Sequence, residues 1–241
     1  FATETSSVPE FVDWQAHDFS MRGMGGIEAA LTSASGHLLS FTGSDTIPAI
    51  DFLEEYYNAN SDQELVAGSV AATEHSVMCM GTTEGEYETF KRLITEVYPK
   101  GIVSIVSDTW DLWKVLTDYL PRLKEEIVSR EGKVVIRPDS GDPVDIICGN
   151  PNGKTEQEKK GVIELLWDVF GGTTNAKGFK ELVPQIGAIY GDSITVARAT
   201  QICERLKAKG FASTNVVLGI GSFTYQYNTR DTFGFAMKAT Y

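Results

Sequence analysis

Short runs of apolar, often β-branched residues recur along the chain, and each ends on polar residues. They are "HLLSFTG" at 37–43, "LVAGSVAATEH" at 65–75, "GIVSIVSD" at 101–108, "KVVIRPDS" at 133–140, "QIGAIYGDS" at 185–193 and "NVVLGIGS" at 215–222. Runs this short and this apolar predict strands covered on both faces, as in a parallel sheet. The segments between them carry helical periodicity. In "EGEYETFKRLITEVYP", Tyr87, Phe90, Ile94 and Val97 fall on one stripe. "SITVARATQICERLKAKG" opens at a serine cap and closes on lysine and glycine. The order is β-α-β-α, with repeats of roughly 30 residues that lengthen around a Gly/Asn/Lys-rich insertion at 149–161. This pattern predicts a parallel α/β sheet or a (β/α) TIM-like barrel. No linker divides it, so residues 1–241 read as one α/β-barrel domain.

The polar residues gather at one end of the predicted strands: Asp45 in "TGSD", His75 in "TEH", Asp108 in "VSD", Asp139 in "RPDSGD", Asp192 in "YGDS" and Ser222 in "GIGS". C-terminal strand ends form the ligand face of barrels and open α/β sheets. A single Asp or Ser in this place is as often the N-cap of the next helix. Six together describe a site, and capping does not explain Arg137, which precedes Pro138 where its strand leaves the core. Carboxylates beside glycine-rich backbone suit sugar hydroxyls, a metal-bound pyrophosphate, or a reaction that develops positive charge at a sugar carbon. Gly221 and Ser222 offer backbone N–H groups to a phosphate, and Arg22 and Arg230 are candidate phosphate ligands. Taken alone, each of these two arginines reads as a surface salt bridge. His17 and His37 have no partner at metal-ligand spacing and read as structural.

Composition narrows the choice of ligand. With 42% hydrophobic and 22% charged residues and a mean hydropathy of -0.13, the chain is of ordinary globular type. Its apolar runs fall short of the ~18 residues of a membrane helix, and no signal pattern opens it; a soluble, cytoplasmic protein is expected. A formal net charge of -12 with 21 scattered Lys and Arg argues against nonspecific nucleic-acid binding. Any phosphate must therefore be held by local donors. Cys79, Cys148 and Cys203 lack a CxxC pattern and read as free thiols. The chain opens on "FATETSS" and stops within an apolar "FAMKATY", so a piece of a longer polypeptide is expected.

"HDFSMRG", "GSDT", "SVAATEHS", "SIVSDTWD", "IRPDSGDP", "GDS" and "TRD" stand in the order and approximate spacing of the nicotinamide phosphoribosyltransferase family, a type II phosphoribosyltransferase family. The resemblance covers essentially the whole chain, and the Asp-Asp-x-x-Thr-Gly loop of type I enzymes is absent from the sequence. It implies an incomplete TIM-like barrel belonging to a larger two-domain protein, working as a homodimer with sites at the subunit interface. The implied reaction joins nicotinamide to phosphoribosyl pyrophosphate, giving nicotinamide mononucleotide and pyrophosphate in NAD salvage, with Mg2+ and with ATP hydrolysis coupled through a phosphohistidine.

Position by position, Phe19 and Arg137 resemble the pair that sandwiches the nicotinamide ring. Asp45 resembles the carboxylate that accepts from the carboxamide NH2 and repels nicotinic acid. Asp139, with Asp108 near it, resembles the ribose contact, and Gly191 and Asp192 a ribose-side turn. Arg22, Gly221, Ser222 and Arg230 resemble the 5'-phosphate and pyrophosphate pocket, and His75 the histidine that ATP phosphorylates. No metal ligand is assigned. The family's Gly-Gly-Gly turn reads Gly221-Ser222-Phe223 here, which narrows its backbone freedom.

Three rivals stand beside this reading. A nicotinate phosphoribosyltransferase would share fold and donor, and Asp45 argues against it. A sugar-phosphate isomerase or aldolase would want a strand-end lysine, but Lys133 opens its strand and Lys238 sits near the chain's C-terminal end. A noncatalytic binding or signalling protein would keep the barrel as a scaffold. The 241-residue segment alone is expected to lack activity, because a second domain and a partner subunit complete the family's site.

Overall fold

A computed structural model describes residues 1–191, 193–226, 232, 234 and 236–238. Its strands are β1 (Ala16–Asp18), β2 (Gly43–Ser44), β3 (Ala71–Ala72), β4 (Gly101–Val106), β5 (Gly132–Arg137), β6 (Gly172–Thr174), β7 (Lys180–Leu182), β8 (Ile186–Tyr190) and β9 (Val216–Ile220). Seven of them form one all-parallel sheet in the order β2-β1-β9-β8-β5-β4-β3. The longest pairing is β4 on β5, from Gly101↔Gly132 to Val106↔Arg137. The sheet curls until its two edges approach. Gly43 bridges Gly68, just ahead of β3, with Ser44 N–H donating to the Gly68 carbonyl at 3.0 Å and Gly68 N–H to the Thr42 carbonyl at 2.9 Å. A complete barrel of this type has eight strands; this curled parallel sheet has seven among the described residues, in keeping with an incomplete TIM-like barrel.

Period-2 alternation divides each strand between two environments. Val103 and Ile105 of β4, Val134 and Ile136 of β5, and Ile186 and Tyr190 of β8 point outward into the main apolar core under the helices. Ile102 and Ser104, Lys133 and Val135, and Gly187 and Ile189 point the other way and line a cavity of about 150 Å³ inside the curl.

The long uniform runs fold as expected at β4, β5, β8 and β9; the others correct the sequence reading. Residues 37–43 are mostly not strand: the helix Ile27–Leu38 runs into them and leaves only Gly43–Ser44 extended. Within 65–75 only Ala71–Ala72 is strand. The stripe predicted over 85–98 buries Phe90 and Ile94 but leaves Val97 44% exposed, because the helix Thr82–Arg92 passes into a π turn at Leu93–Val97. One extra residue in that turn rotates Val97 off the stripe. The helix Val196–Ala208 is capped by Thr195, which accepts from Arg198 N–H, two residues later than the expected serine. β1, whose three residues include His17 and Asp18, and the β6–β7 hairpin had no apolar run to announce them.

Candidate functional site

The inward register explains how residues distant in sequence reach one place. Counting in twos from the cavity-lining positions, β1 runs from His17 to Phe19, β3 from Ala72 to Glu74, β4 from Ser104 past its end to Asp108, β5 from Val135 through Arg137 to Asp139, and β8 from Ile189 to Gly191. Each strand thus delivers its next inward side chain to the C-terminal rim. Phe19, Arg22, Asp45, Glu74, Arg137 and Gly191 line a rim cavity of about 510 Å³, and Asp45 and Phe19 also line the interior cavity.

Arg137 is only 5% exposed. Its Nη2 donates to Asp139 Oδ2 at 3.2 Å and reaches Glu74 Oε1 at 3.5 Å. Burial works against its charge, but Asp139 and then Glu74 outweigh burial and hold its proton more firmly than usual. Its guanidinium carbon lies 5.6 Å from the centre of the Phe19 ring. A flat ring inserted between two planes needs roughly 7 Å, two van der Waals contacts of about 3.5 Å each, so the pair must part by an ångström or so to hold one.

His75 Nε2 sits 3.2 Å from Asp108 Oδ1, and its Nδ1 is 3.9 Å from Asp139 Oδ2. The bond to Asp108 raises the His75 pKa above its ordinary value against the effect of burial. Asp108 Oδ2 accepts from Asp139 N–H at 2.9 Å and Ser140 N–H at 2.7 Å. These bonds overcome the burial that would raise Asp108 and hold it at about 2. Asp139 is pushed the other way, by burial first and by the Asp108 charge, with Arg137 opposing. Its Oδ1 and Arg137 Nε are buried with no hydrogen-bond partner. Two orphaned polar atoms side by side invite a ligand that both donates and accepts. A Cβ at residue 191 would overlap Asp139 Oδ1, so only glycine lets β8 end this close to the carboxylate. The other aspartate in "RPDSGDP", Asp142, is a helix cap, accepting from Val144 and Asp145 N–H at 2.9 and 3.1 Å.

On the other flank, Glu74 gathers cations: Arg22 and Lys238 each at 2.8 Å, besides Arg137. Burial would raise it, but Lys238, Arg22 and Arg137 hold it at about 2. Ser222 packs against Gly23, the neighbour of Arg22, so the Gly221–Ser222 turn lies next to this basic cluster. The model of the Nicotinate phosphoribosyltransferase (NAPRTase) family matches residues 14–241.

The chain belongs to the nicotinate phosphoribosyltransferase family.

Within that family, the chain is similar to proteins named for the amide. Nicotinamide phosphoribosyltransferase of Acinetobacter baylyi is 56% identical over 248 residues, covering 100% of this chain and 48% of the relative. The proteins of that name from Mycoplasma pneumoniae and Mycoplasma genitalium are 45% and 42% identical, each over 100% of this chain and 50% of the relative. The chain spans about half the length of the curated relatives it matches.

The rim brings together Phe19, Arg22, Asp45, His75, Asp108, Arg137, Asp139 and Gly191, with Gly221 and Ser222 alongside. Asp192 and Arg230 lie outside the described residues. His37 is structural as expected, bonded to the Gly43 carbonyl at 3.0 Å and the Tyr225 hydroxyl at 2.9 Å. His17, also expected to be structural, bonds a rim carboxylate: its Nε2 is 2.7 Å from Asp45 Oδ1. Glu74 and Lys238 were also missed, although the inward spacing from Ala72 would have found Glu74. No group of three or more His, Cys, Asp or Glu side chains fit to cage a metal occurs among the described residues. No helix among them is long and apolar enough to cross a membrane. All three cysteines are free, and burial pushes the Cys148 thiol up to about 12.

Proposed function

We propose that the protein containing this chain is a nicotinamide phosphoribosyltransferase, joining nicotinamide to phosphoribosyl pyrophosphate in the NAD salvage of the cytoplasm. The observation that carries this reading is the buried Arg137 facing Phe19, with Asp45 on the lining of the same cavity and the orphaned Oδ1 of Asp139 beside Arg137. A flat ring bearing an amide suits the pair with Asp45, and a hydroxylated sugar suits Asp139. The names of the similar proteins support the same choice.

The ring enters between Phe19 and Arg137, where the guanidinium plane and the aromatic face fix its orientation. Asp45, an acceptor only, takes an N–H of the carboxamide. Asp139 accepts from a ribose hydroxyl, and its neighbour Asp108 keeps the turn that carries it in place. The pyridine nitrogen then attacks C1 of the sugar as the C1–O bond to pyrophosphate breaks, and the bonding pair leaves with pyrophosphate. Positive charge building on the sugar faces Asp139, and positioning supplies most of the rate. Phosphate oxygens compete with Glu74 for Arg22 and Lys238, and the backbone of Gly221 and Ser222 adds donors.

Mg2+ suits the residues present if it arrives with the substrate. A diphosphate and waters supply most ligands of this ion, leaving one or two to carboxylates, and Asp139 Oδ1 is free to be one. When bound it would neutralise the leaving pyrophosphate. ATP coupling runs through His75: the tautomer that donates from Nε2 to Asp108 leaves the lone pair on Nδ1, free to attack the γ-phosphorus of ATP as the bond to the bridging oxygen breaks and ADP leaves. The proposed homodimer is supported by the exposed Ile47, Tyr56, Tyr57 and Leu65 along residues 47–65, an apolar surface suited to another subunit. The second domain of the proposed two-domain protein would come from sequence outside this chain.

The test is product formation by the full-length protein with phosphoribosyl pyrophosphate and Mg2+, given nicotinamide or nicotinic acid, with and without ATP. Preference for the amide and stimulation by ATP are expected. Preference for the acid overturns the substrate, and no product from either overturns the enzyme reading.

A further inference from the structure

The contact between His17 and Asp45 takes no part in the transfer itself. His17 is the middle residue of β1, and its ring lies 4.8 Å from that of Phe19, tilted by 43°. Its neighbour Asp18 points the opposite way and binds Ser20, Ser44 and Thr46, which fixes the pleat and aims His17 at the cavity. β2 runs beside β1 in parallel, with His17 opposite Gly43, and Asp45 N–H donates to the Asp18 carbonyl at 2.9 Å. This register brings Asp45 to His17.

The strand is cut to fit the imidazole. A Cβ at Gly43 would stand 2.7 Å from His17 Nδ1 and 3.3 Å from its Cγ, inside van der Waals contact, so any larger residue would push the ring off Asp45. His17 Nε2 lies 2.7 Å from Asp45 Oδ1, and Ser69 Oγ donates to the same oxygen at 2.6 Å. Two donors on one oxygen stop the carboxylate from turning. Among the described residues no hydrogen bond reaches Oδ2, and the Asp45 side chain is 45% exposed, bordering both cavities. Burial works to raise the Asp45 carboxyl, and the His17 bond, with that of Ser69 behind it, holds it below its ordinary value. It therefore stays an acceptor.

We propose that His17 is a positioning residue that sets substrate choice: by pinning Oδ1 of Asp45 it presents Oδ2 as a fixed acceptor for a carboxamide N–H and as a fixed negative charge against a carboxylate. This role rests on the nicotinamide reading. A freely turning Asp45 would still bind the amide, at an entropic cost, and would meet an acid substrate less squarely. His17 touches no reacting atom, so its loss acts on binding and discrimination more than on turnover.

The experiment uses the full-length protein with saturating phosphoribosyl pyrophosphate and compares wild type, His17→Phe, His17→Gln and Ser69→Ala. His17→Phe keeps an aromatic side chain beside Phe19 and removes the donor; His17→Gln keeps an N–H within reach of Asp45; Ser69 is exposed, so Ser69→Ala removes the second donor without disturbing the core. KM and kcat are measured for nicotinamide and for nicotinic acid. His17→Phe is expected to raise KM for nicotinamide tenfold or more, with kcat within about threefold, and to lower the amide-to-acid ratio of kcat/KM at least tenfold. His17→Gln should recover most of that ratio, and Ser69→Ala should lower it by a smaller factor. An unchanged ratio in both His17→Phe and Ser69→Ala overturns the role, as does an equal fall in kcat for both substrates. If His17→Phe fails to fold, Ser69→Ala and His17→Gln decide: a ratio that stays at the wild-type value in the first overturns the role. Wild-type protein that prefers the acid sinks the substrate reading and this role together; wild-type preference for the amide with unmoved variants sinks the role alone.

Discussion

At Arg137 one side chain does three things: it carries a flat face toward Phe19, binds Asp139 and reaches Glu74. Lysine keeps the charge but has neither the plane nor the fork of donors. Arg137→Lys is therefore expected to lower kcat/KM for nicotinamide about 100-fold, roughly 2.7 kcal/mol of transition-state binding, while the melting temperature moves by only a few degrees. A steady-state assay with a thermal melt checks both, and activity within threefold of wild type would refute the stacking role. Gly191→Ala should also lose at least tenfold in activity, because the new Cβ displaces Asp139; a kinetic comparison with wild type measures it. Arg137 was legible in the sequence because an arginine before a proline at a strand end has no structural excuse. His17 was not, because a lone histidine in "AHDF" carries no spacing signal; its partner Asp45 is 28 positions away, and Ser69, which donates to the same carboxylate, is 52 away.

Among the elements, visibility in the sequence followed strand length and burial. β4 and β5 pair over six residues each and are buried over most of their length, so apolar residues predominate in both. β2 and β3 have two residues apiece, too few for any period to show, and β1 spends an inward position on His17. The insertion at 149–161 turned out to hold a well-made helix start: Thr155 Oγ1 accepts from Glu158 N–H at 3.2 Å, and the Glu158 carboxylate accepts from Thr155 N–H at 3.0 Å. This capping box opens the helix Glu156–Phe170, which kinks at Gly161 (φ 77°) before Val162, Ile163 and Leu166 join the core. Thr155→Ala should cost about 1 kcal/mol of stability and leave kcat/KM within twofold, since none of these residues lines the rim. Urea unfolding beside an activity assay would show it, and a large loss of activity would mean that the helix communicates with the site.

Across the whole molecule, the site charges make stability depend on pH in two directions. Glu74 and Asp108 are each held at about 2, below the usual carboxylate range. The stability they contribute is fully present above about pH 5 and is lost as pH falls toward 2. His75 is raised, so its contribution is present below about pH 6.5 and fades as pH climbs through its folded value. Asp108→Asn removes the partner common to two of these effects. Urea midpoints between pH 8 and pH 3 should change less steeply at both ends in that variant than in wild type. An unchanged profile would show that the cluster contributes little to folding.

The Gly43–Gly68 junction gives the barrel a zip. Two backbone hydrogen bonds hold that seam, against six paired positions between β4 and β5, so it is the place where the cylinder unlatches first. Asp45 and Ser69 sit two and one positions beyond it on either side, and a breath at the seam would carry them apart. Amide protons of Ser44 and Gly68 are expected to exchange with solvent well before those of Ile105 and Val135. A neighbouring subunit or domain that buttons the seam shut would tighten the grip on a small amide without touching it.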